Sequence, residues 1–131
     1  MDLYLLNRGK AKVEIEAAHS IIGDINKPNE LTELKKHEWD VVVNWIAFTP
    51  DDIERDIELF KGKTKQYIFI SSASCYQTPL SYPVITESTP LHNPLWDYSE
   101  NKILCEDRLQ KAYREEGFPI TIVRPSLTCD T

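Results

Sequence analysis

Five short apolar runs, each closed by turn residues, constrain this chain more than any other feature of its sequence. They are "DLYLLN" (2–7), "SIIGD" (20–24), "WDVVVNWIA" (39–47), "QYIFIS" (66–71) and "PITIVRP" (119–125). Runs of this length bounded by Gly, Pro, Asn or Asp suit strands better than helices. The run 39–47 is apolar almost without a break, the pattern of a strand buried on both faces.

The intervening stretches carry helix signals. Pro28 and Asn29 predict a helix reaching about His37. Thr49 or Asp51 opens a second helix with acids in its first turn and Ile53, Ile57 and Phe60 at helical spacing. A third is predicted from Asp97, which forms a capping-box pattern with Glu100, to a stop at Gly117. Tyr98, Lys102, Cys105, Leu109 and Ala112 fall on one stripe of it. Residues 10–20 stay ambiguous, strand-like at their start and helix-like at their end. The order β-β-α-β-α-β-α-β predicts an α/β domain with a mostly parallel sheet. Residues 73–97 form a long connection holding Pro79, Pro83, Pro90 and Pro94. A connection of that length in a compact chain is usually functional.

Composition excludes several function classes. The 131 residues are one domain's worth, with 41% hydrophobic and 27% charged residues, ordinary for a soluble globular protein. A net charge of −6 argues against nonspecific nucleic-acid or anionic-membrane binding. No apolar run approaches the ~20 residues of a membrane span, and "MDLYLLNRGK" lacks the pattern of a signal peptide. Cys75, Cys105 and Cys129 are odd in number and widely spaced, and His19, His37 and His92 are scattered, so no metal site is expected. Three reduced thiols in a cytoplasmic protein are the expectation. Nothing near Cys75 suggests a thiolate nucleophile. Trp39, Trp45 and Trp96 read as packing residues. The four glycines (Gly9, Gly23, Gly62, Gly117) never fall within ten residues of one another, so the sequence holds no glycine-rich phosphate loop.

Tyr98 and Lys102 form a Tyr-x-x-x-Lys pair, which alone is a chance-level motif. Its context is more specific. "YIFISSASCYQTP", "ITESTPLHNPLWDYSENK" and "ITIVRPS" together present Ser71-Ser72, Tyr76, Glu87 with Pro90, Tyr98 with Lys102, and Arg124-Pro125. In order and spacing this set resembles the extended short-chain dehydrogenase/reductase family, the branch of NAD-dependent nucleotide-sugar epimerases and dehydratases. Upstream, "LLNRGK", "GDINKP" and "DVVVNWIAFTP" resemble the ends of the family's second, third and fourth strands. The resemblance covers essentially the whole chain. It implies a partial Rossmann-like, doubly wound sheet whose first β-α unit, with its glycine loop, would precede Met1, and whose substrate-binding portion would follow Thr131. Residues 1–131 would then be one incomplete NAD(P)-binding domain, with no second domain.

The resemblance also implies roles. Ser72, Tyr98 and Lys102 would be catalytic. Tyr98 would take a proton from a sugar hydroxyl aligned by Ser72, with hydride passing to the nicotinamide. A Tyr base at neutral pH needs roughly 4 kcal/mol of phenolate stabilisation. An ammonium about 4–6 Å away supplies about 3–4 kcal/mol of it. Lys102 would do this and hold the nicotinamide ribose. Asp24 and Ile25 match positions facing the adenine, Ala47 and Phe48 the segment beside the cofactor, and Pro125 the nicotinamide side. NAD or NADP is the implied cofactor. Arg8 stands where NAD-preferring members tend to have an acid, and an Arg suits a 2′-phosphate, which tilts the expectation toward NADP.

The implied substrate is a nucleotide sugar or a similar small molecule, with no nucleic-acid or membrane partner. The alternative is a non-catalytic, nucleotide- or RNA-associated relative, against which the acidic charge and the intact Ser/Tyr/Lys set weigh. Without a glycine loop, cofactor binding is expected to be weak and the isolated chain inactive. With the central first strand missing, the second and fourth family strands are expected to pair directly, or the chain to self-associate through open strand edges.

Overall fold

The computed structural model describes residues 2–10 and 15–128. They form two compact units, 1–38 and 39–131. Five parallel strands and two helices account for the regular structure: β1 (Leu3–Asn7), β2 (Ala18–Ile22), β3 (Val42–Asn44), α1 (Pro50–Phe60), β4 (Tyr67–Ile70), α2 (Asp97–Glu116) and β5 (Ile120–Val123).

In the N-terminal unit β1 pairs with β2 in parallel, Leu3 opposite Ala18 and Asn7 opposite Ile22. The Gly23 amide continues the ladder to the Asn7 carbonyl at 2.9 Å. β2 begins earlier than its apolar residues suggested, and residues 11–14 of the ambiguous stretch lie outside the described residues. The helix expected over 29–37 is instead two 3₁₀ turns, Pro28–Glu30 and Leu34–Lys36. Leu31 and Leu34 are both buried, but the next helical position on that stripe is the exposed Glu38. Two apolar residues three apart suit a 3₁₀ turn and are too few to hold an α-helix to a core. Asn29 is not the N-cap; Lys27 occupies that position, and its side chain caps no backbone N–H.

In the C-terminal unit the strand order is β3-β4-β5, all parallel. Val42 lies opposite Tyr67, and Tyr67 opposite Ile120. The sheet's Asn44, Tyr67 and Phe69 face is buried, and both helices supply its cover: Asp56 and Phe60 from α1 meet Tyr67, and Lys102 from α2 lies over the Phe69 ring. The opposite face carries Val43, Ile68, Ile70 and Val123, of which Val43 and Val123 are about 40% exposed or more (43% and 40%). The expectation of a strand buried on both faces over 39–47 therefore fails. Only 42–44 is strand, and Val41, Val43 and Trp45 point to an uncovered side, Trp45 being 67% exposed. Alternation of the pleat sends every second residue of that run to the uncovered side. The strands fall into two separate sheets, β1-β2 and β3-β4-β5, so direct pairing of β1 with β3 is not what the described residues form.

Helix α1 starts where its sequence says. Thr49 is the N-cap, Pro50 follows at N1, and the Asp52 amide donates to Thr49 Oγ1 at 3.4 Å while Asp52 Oδ2 accepts the Thr49 amide at 3.0 Å. Asp52 Oδ2 also accepts the Phe48 amide at 2.9 Å, so the same box holds the turn before the helix. Thr49→Ala should cost about 1 kcal/mol, read as a lower urea midpoint with an unchanged slope. An unchanged midpoint would mean the box contributes nothing.

Helix α2 begins differently from expectation. Its N-cap is Trp96, which makes no side-chain bond, and Asp97 is its first helical residue. The Trp96 ring packs against Tyr98 with centroids 4.9 Å apart, so an aromatic contact sets the entry in place of a capping box. At the other end Gly117 takes a left-handed conformation with φ 68°, as a helix stop of this kind requires, and the Phe118 amide returns to the Ala112 carbonyl at 3.2 Å. The expected stripe is the buried one: Lys102, Cys105, Leu109 and Ala112 are all interior.

Candidate active site

The carboxyl ends of β3, β4 and β5 gather most of the residues singled out from the sequence. Lys102, one helical turn after Tyr98, is 1% exposed. Its Nζ donates to the Ala47 carbonyl at 2.7 Å and to the Ile70 carbonyl at 2.8 Å, joining the turn after β3 to the last residue of β4. Three rings surround the ammonium: Phe69 at 4.6 Å, Phe48 at 4.8 Å and Tyr98 at 5.7 Å to their centroids. Cation–π attraction and two carbonyls offset part of the cost of burying this charge. Burial nonetheless pushes the lysine below its usual pKa.

Tyr98 is half-buried, its ring between Phe48 at 6.2 Å and Trp96 at 4.9 Å. Ala47, Phe48, Tyr98 and Lys102 are therefore one cluster. Trp45 and Trp96, read from the sequence as packing residues, are more than half exposed, and Trp96 forms the outer wall of the Tyr98 ring.

Ser72 stands two residues beyond Ile70, the last residue of β4, and its half-exposed side chain accepts the Ser74 amide at 3.1 Å. Ser72 Oγ and Ser74 Oγ lie 2.8 Å apart, and the buried Ser99 hydroxyl donates to Ser74 Oγ at 2.8 Å. A chain of hydroxyls thus runs from Ser72 to the residue beside Tyr98. Pro125 is brought to the same strand end, where its carbonyl accepts the Ala73 amide at 2.9 Å. The long connection 73–97 is tied back by an antiparallel bridge between Tyr76 and Leu91.

Two buried carboxylates underpin these strand ends, and sequence reasoning did not single out either. Glu106 is fully buried on α2, one turn past Lys102. It accepts Ser71 Oγ at 2.5 Å, Arg124 Nε at 3.0 Å and Arg124 Nη2 at 2.6 Å, and Arg124 Nη1 reaches the Tyr76 hydroxyl at 3.1 Å. The Glu106 carboxylate holds the Arg124 guanidinium above its usual pKa. Asp56, on α1, is also fully buried and bonded to Asn44, Tyr67 and Arg55. Burial pushes its pKa up, and burial next to this carboxylate pushes the Tyr67 phenol up as well. The spacing 98, 102, 106 could have exposed Glu106, since all three share a helix face.

The N-terminal unit holds the rest. Arg8 and Asp24 line one cleft of about 230 Å³ together with Lys10, Lys27 and Glu30. Glu30 organises its floor, accepting the Asp24 amide at 2.9 Å and pairing with Lys27 at 2.9 Å. Ile25 follows Asp24 in the turn closed by the Lys27 amide on the Asp24 carbonyl, but it does not line the cleft. Among the described residues no cluster of His, Cys, Asp or Glu could hold a metal ion, and Cys75 and Cys105 are buried free thiols; Cys129 lies outside the described residues. No described helix is long and apolar enough to cross a membrane.

The profile of the NAD dependent epimerase/dehydratase family matches residues 2–129. Among solved structures, an epimerase from the thermophilic methanogen Methanothermobacter thermautotrophicus superposes with a TM-score of 0.78 at 17% identity, covering 94% of this chain and 43% of that one. A UDP-glucose 4-epimerase gives 0.72 at 19% identity, covering 98% and 44%. A UDP-glucuronic acid 4-epimerase from Bacillus cereus, in complex with NAD, gives 0.65 at 22% identity, covering 86% and 39%. This chain spans less than half the length of each. No curated protein sequence matches it significantly. At these identities the likeness is one of fold: a partial Rossmann-like, mostly parallel α/β arrangement.

Proposed function

The chain belongs to the NAD dependent epimerase/dehydratase family, and from that premise we propose that it carries the Ser/Tyr/Lys segment of an NAD(P)-dependent oxidoreductase acting on a nucleotide-sugar-like substrate. The observation that carries this reading is the cluster at the strand ends, where Lys102 lies beneath the Tyr98 ring and beside Ala47 and Phe48. Ligands of open α/β sheets bind outside these carboxyl ends. The bound nicotinamide would supply the hydride acceptor.

This chain's own residues do the remaining work. Tyr98 takes the proton of the substrate hydroxyl, and Ser72 hydrogen-bonds the reacting oxygen. Lys102 keeps its cationic field at the Tyr98 ring, which favours a phenolate. Ala47 and Phe48 lie beside the cofactor and Pro125 lines its nicotinamide side, while Asp24 and Ile25 face the adenine and Arg8 its ribose. In the cleft Lys27 is paired with Glu30 and Asp24 adds a second acid, which leaves Arg8 and Lys10 as the cations for a 2′-phosphate, so NADP is the favoured form.

Residues 1–131 act as one incomplete NAD(P)-binding domain. No described backbone offers a glycine-rich pyrophosphate cradle, so binding is weak and the chain alone turns over no substrate. Buried, reduced thiols fit a cytoplasmic protein, with no nucleic-acid or membrane partner. The exposed Val43 on edge strand β3, with Val41 just before it, favours self-association.

Chemical-shift mapping with millimolar NADP+ and NAD+ tests the reading. Shifts at Arg8, Asp24, Ala47, Phe48 and Lys102 are expected, with NADP+ favoured, and Arg8→Ala should remove the preference. Shifts that leave Lys102 and Tyr98 untouched at saturation would sink it. Micromolar affinity by calorimetry would sink the weak-binding part alone.

A further inference from the structure

The buried Asp56 and Asn44 have no part in the chemistry above, yet they connect to it. The Asp56 carboxylate, fully buried on α1, accepts Arg55 Nε at 3.1 Å and Nη2 at 3.0 Å, the Tyr67 hydroxyl, and Asn44 Nδ2. An ionised carboxylate can only accept, so it commits the Asn44 amide to present its nitrogen. The Asn44 oxygen then points the other way, where it accepts the Ile46 amide at 2.7 Å and the Ala47 amide at 2.8 Å. A flipped Asn44 would aim donors at two backbone donors and an acceptor at a carboxylate. Asp56 therefore fixes the orientation of Asn44, and Asn44 fixes the turn after β3. That turn carries the Ala47 carbonyl, which holds Lys102 Nζ at 2.7 Å, and ends at Phe48, whose ring lies 4.8 Å from the ammonium.

We propose that Asn44 and Asp56 are positioning residues for Lys102, acting through the 45–48 turn to hold its ammonium under the Tyr98 ring. Neither touches Lys102. The chain of contacts is continuous: carboxylate to amide, amide oxygen to two turn N–H groups, turn carbonyl to ammonium. The relevance of that position to catalysis rests on the functional reading above. The position itself does not, and the test reads Lys102 directly without cofactor or substrate.

The experiment follows the Lys102 side chain by ¹H–¹⁵N and ¹H–¹³C NMR in the full chain. In the wild type, the Nζ protons should exchange slowly and the ε-methylene should be shifted upfield by the Phe48 and Phe69 rings. In Asn44→Ala, with the core signals of Phe118 still dispersed, exchange should accelerate about tenfold, the effect of one lost hydrogen bond. The Phe48 part of the upfield shift should vanish. The exchanged pair Asn44→Asp with Asp56→Asn should restore both signatures. There Asn at 56 can donate to Asp at 44 and to the Tyr67 oxygen while still accepting from Arg55. If Asn44→Ala does not fold, Asn44→Ser is read in the same way.

A role confined to stability would lower the unfolding midpoint and leave the Lys102 signals of the folded state in place. That result, or an exchanged pair that folds without restoring the Lys102 signals, overturns the proposal. Failure of NADP+ to perturb Lys102, with these signatures behaving as stated, would instead overturn the functional reading and leave the positioning role standing.

Discussion

Arg124→Met should destabilise the C-terminal unit by about 3–5 kcal/mol, the cost of stranding a buried charge. Glu106 is fully buried, and three of its four hydrogen bonds of known partner come from Arg124. With the guanidinium gone, Ser71 Oγ is the one donor left to the carboxylate among the described residues. Tyr76 also loses the cation that lies 5.1 Å from its ring centre. The pair itself is worth much less than its disruption, because both ions were desolvated to form it. Glu106→Leu combined with Arg124→Met should therefore recover most of the loss. Urea unfolding of the two single variants and the double variant measures this directly. A single variant within about 0.5 kcal/mol of wild type, the range of ordinary surface changes, would show that Glu106 is solvated or protonated without its partner.

Alkaline pH should weaken the fold from about pH 8.5 upward, through Cys105. Burial pushes this thiol up to about 12, against about 8.5 in an unfolded chain. A raised folded-state pKa means that the folded form holds its proton where the unfolded form has released it. The stabilisation is complete below the unfolded value and is lost as pH rises through the folded one. Each pH unit in that window costs about 1.4 kcal/mol per group, so about 2 kcal/mol is lost by pH 10. Cys75, also raised by burial, acts in the same direction. Lys102 opposes them: its lowered pKa makes the folded state gain stability as pH climbs toward the free-lysine value. Cys105→Ala should flatten the pH dependence, and unfolding followed from pH 7 to 10 reads the difference. An unchanged slope in that variant would mean Cys105 is not the group responsible.

Much of this architecture was legible locally. Helix α1 follows from Thr49, Pro50 and Asp52, and its inner face from Ile53, Ile57 and Phe60, all of which are buried. The stripe on α2 and its stop at Gly117 were likewise in the spacing. The two 3₁₀ turns over 28–36 were not, because Pro28 and Asn29 announce a helix whatever follows, and only two leucines follow. Nor was the uncovered side of β3. An apolar run states that its residues avoid water, but which face finds a cover depends on where the helices land.

The candidate site divides along the same line. Ser72, Tyr98, Lys102, Ala47, Phe48 and Pro125 could be named from motif order, and Ala47, Phe48, Tyr98 and Lys102 meet at the ends of β3 and β4. Asp56 could not be named, because a lone acid in a helix reads as a solvated one, and Glu106 carried only the signal of its 98, 102, 106 spacing. Only their partners say otherwise, and those lie 18 residues from Glu106 at Arg124 and 12 from Asp56 at Asn44.

By itself, then, the sequence determined the type and order of most elements, the family, and the set of side chains available for chemistry. Those follow from spacing and turn residues, which act over a few positions along the chain. Tertiary structure alone decided that Lys102 is sheathed by three rings and anchored to carbonyls 55 and 32 residues away. It also decided that two carboxylates beneath the strand ends are buried and paired. A charge leaves water only where distant groups replace its solvation, and their arrival depends on how the strands and helices pack.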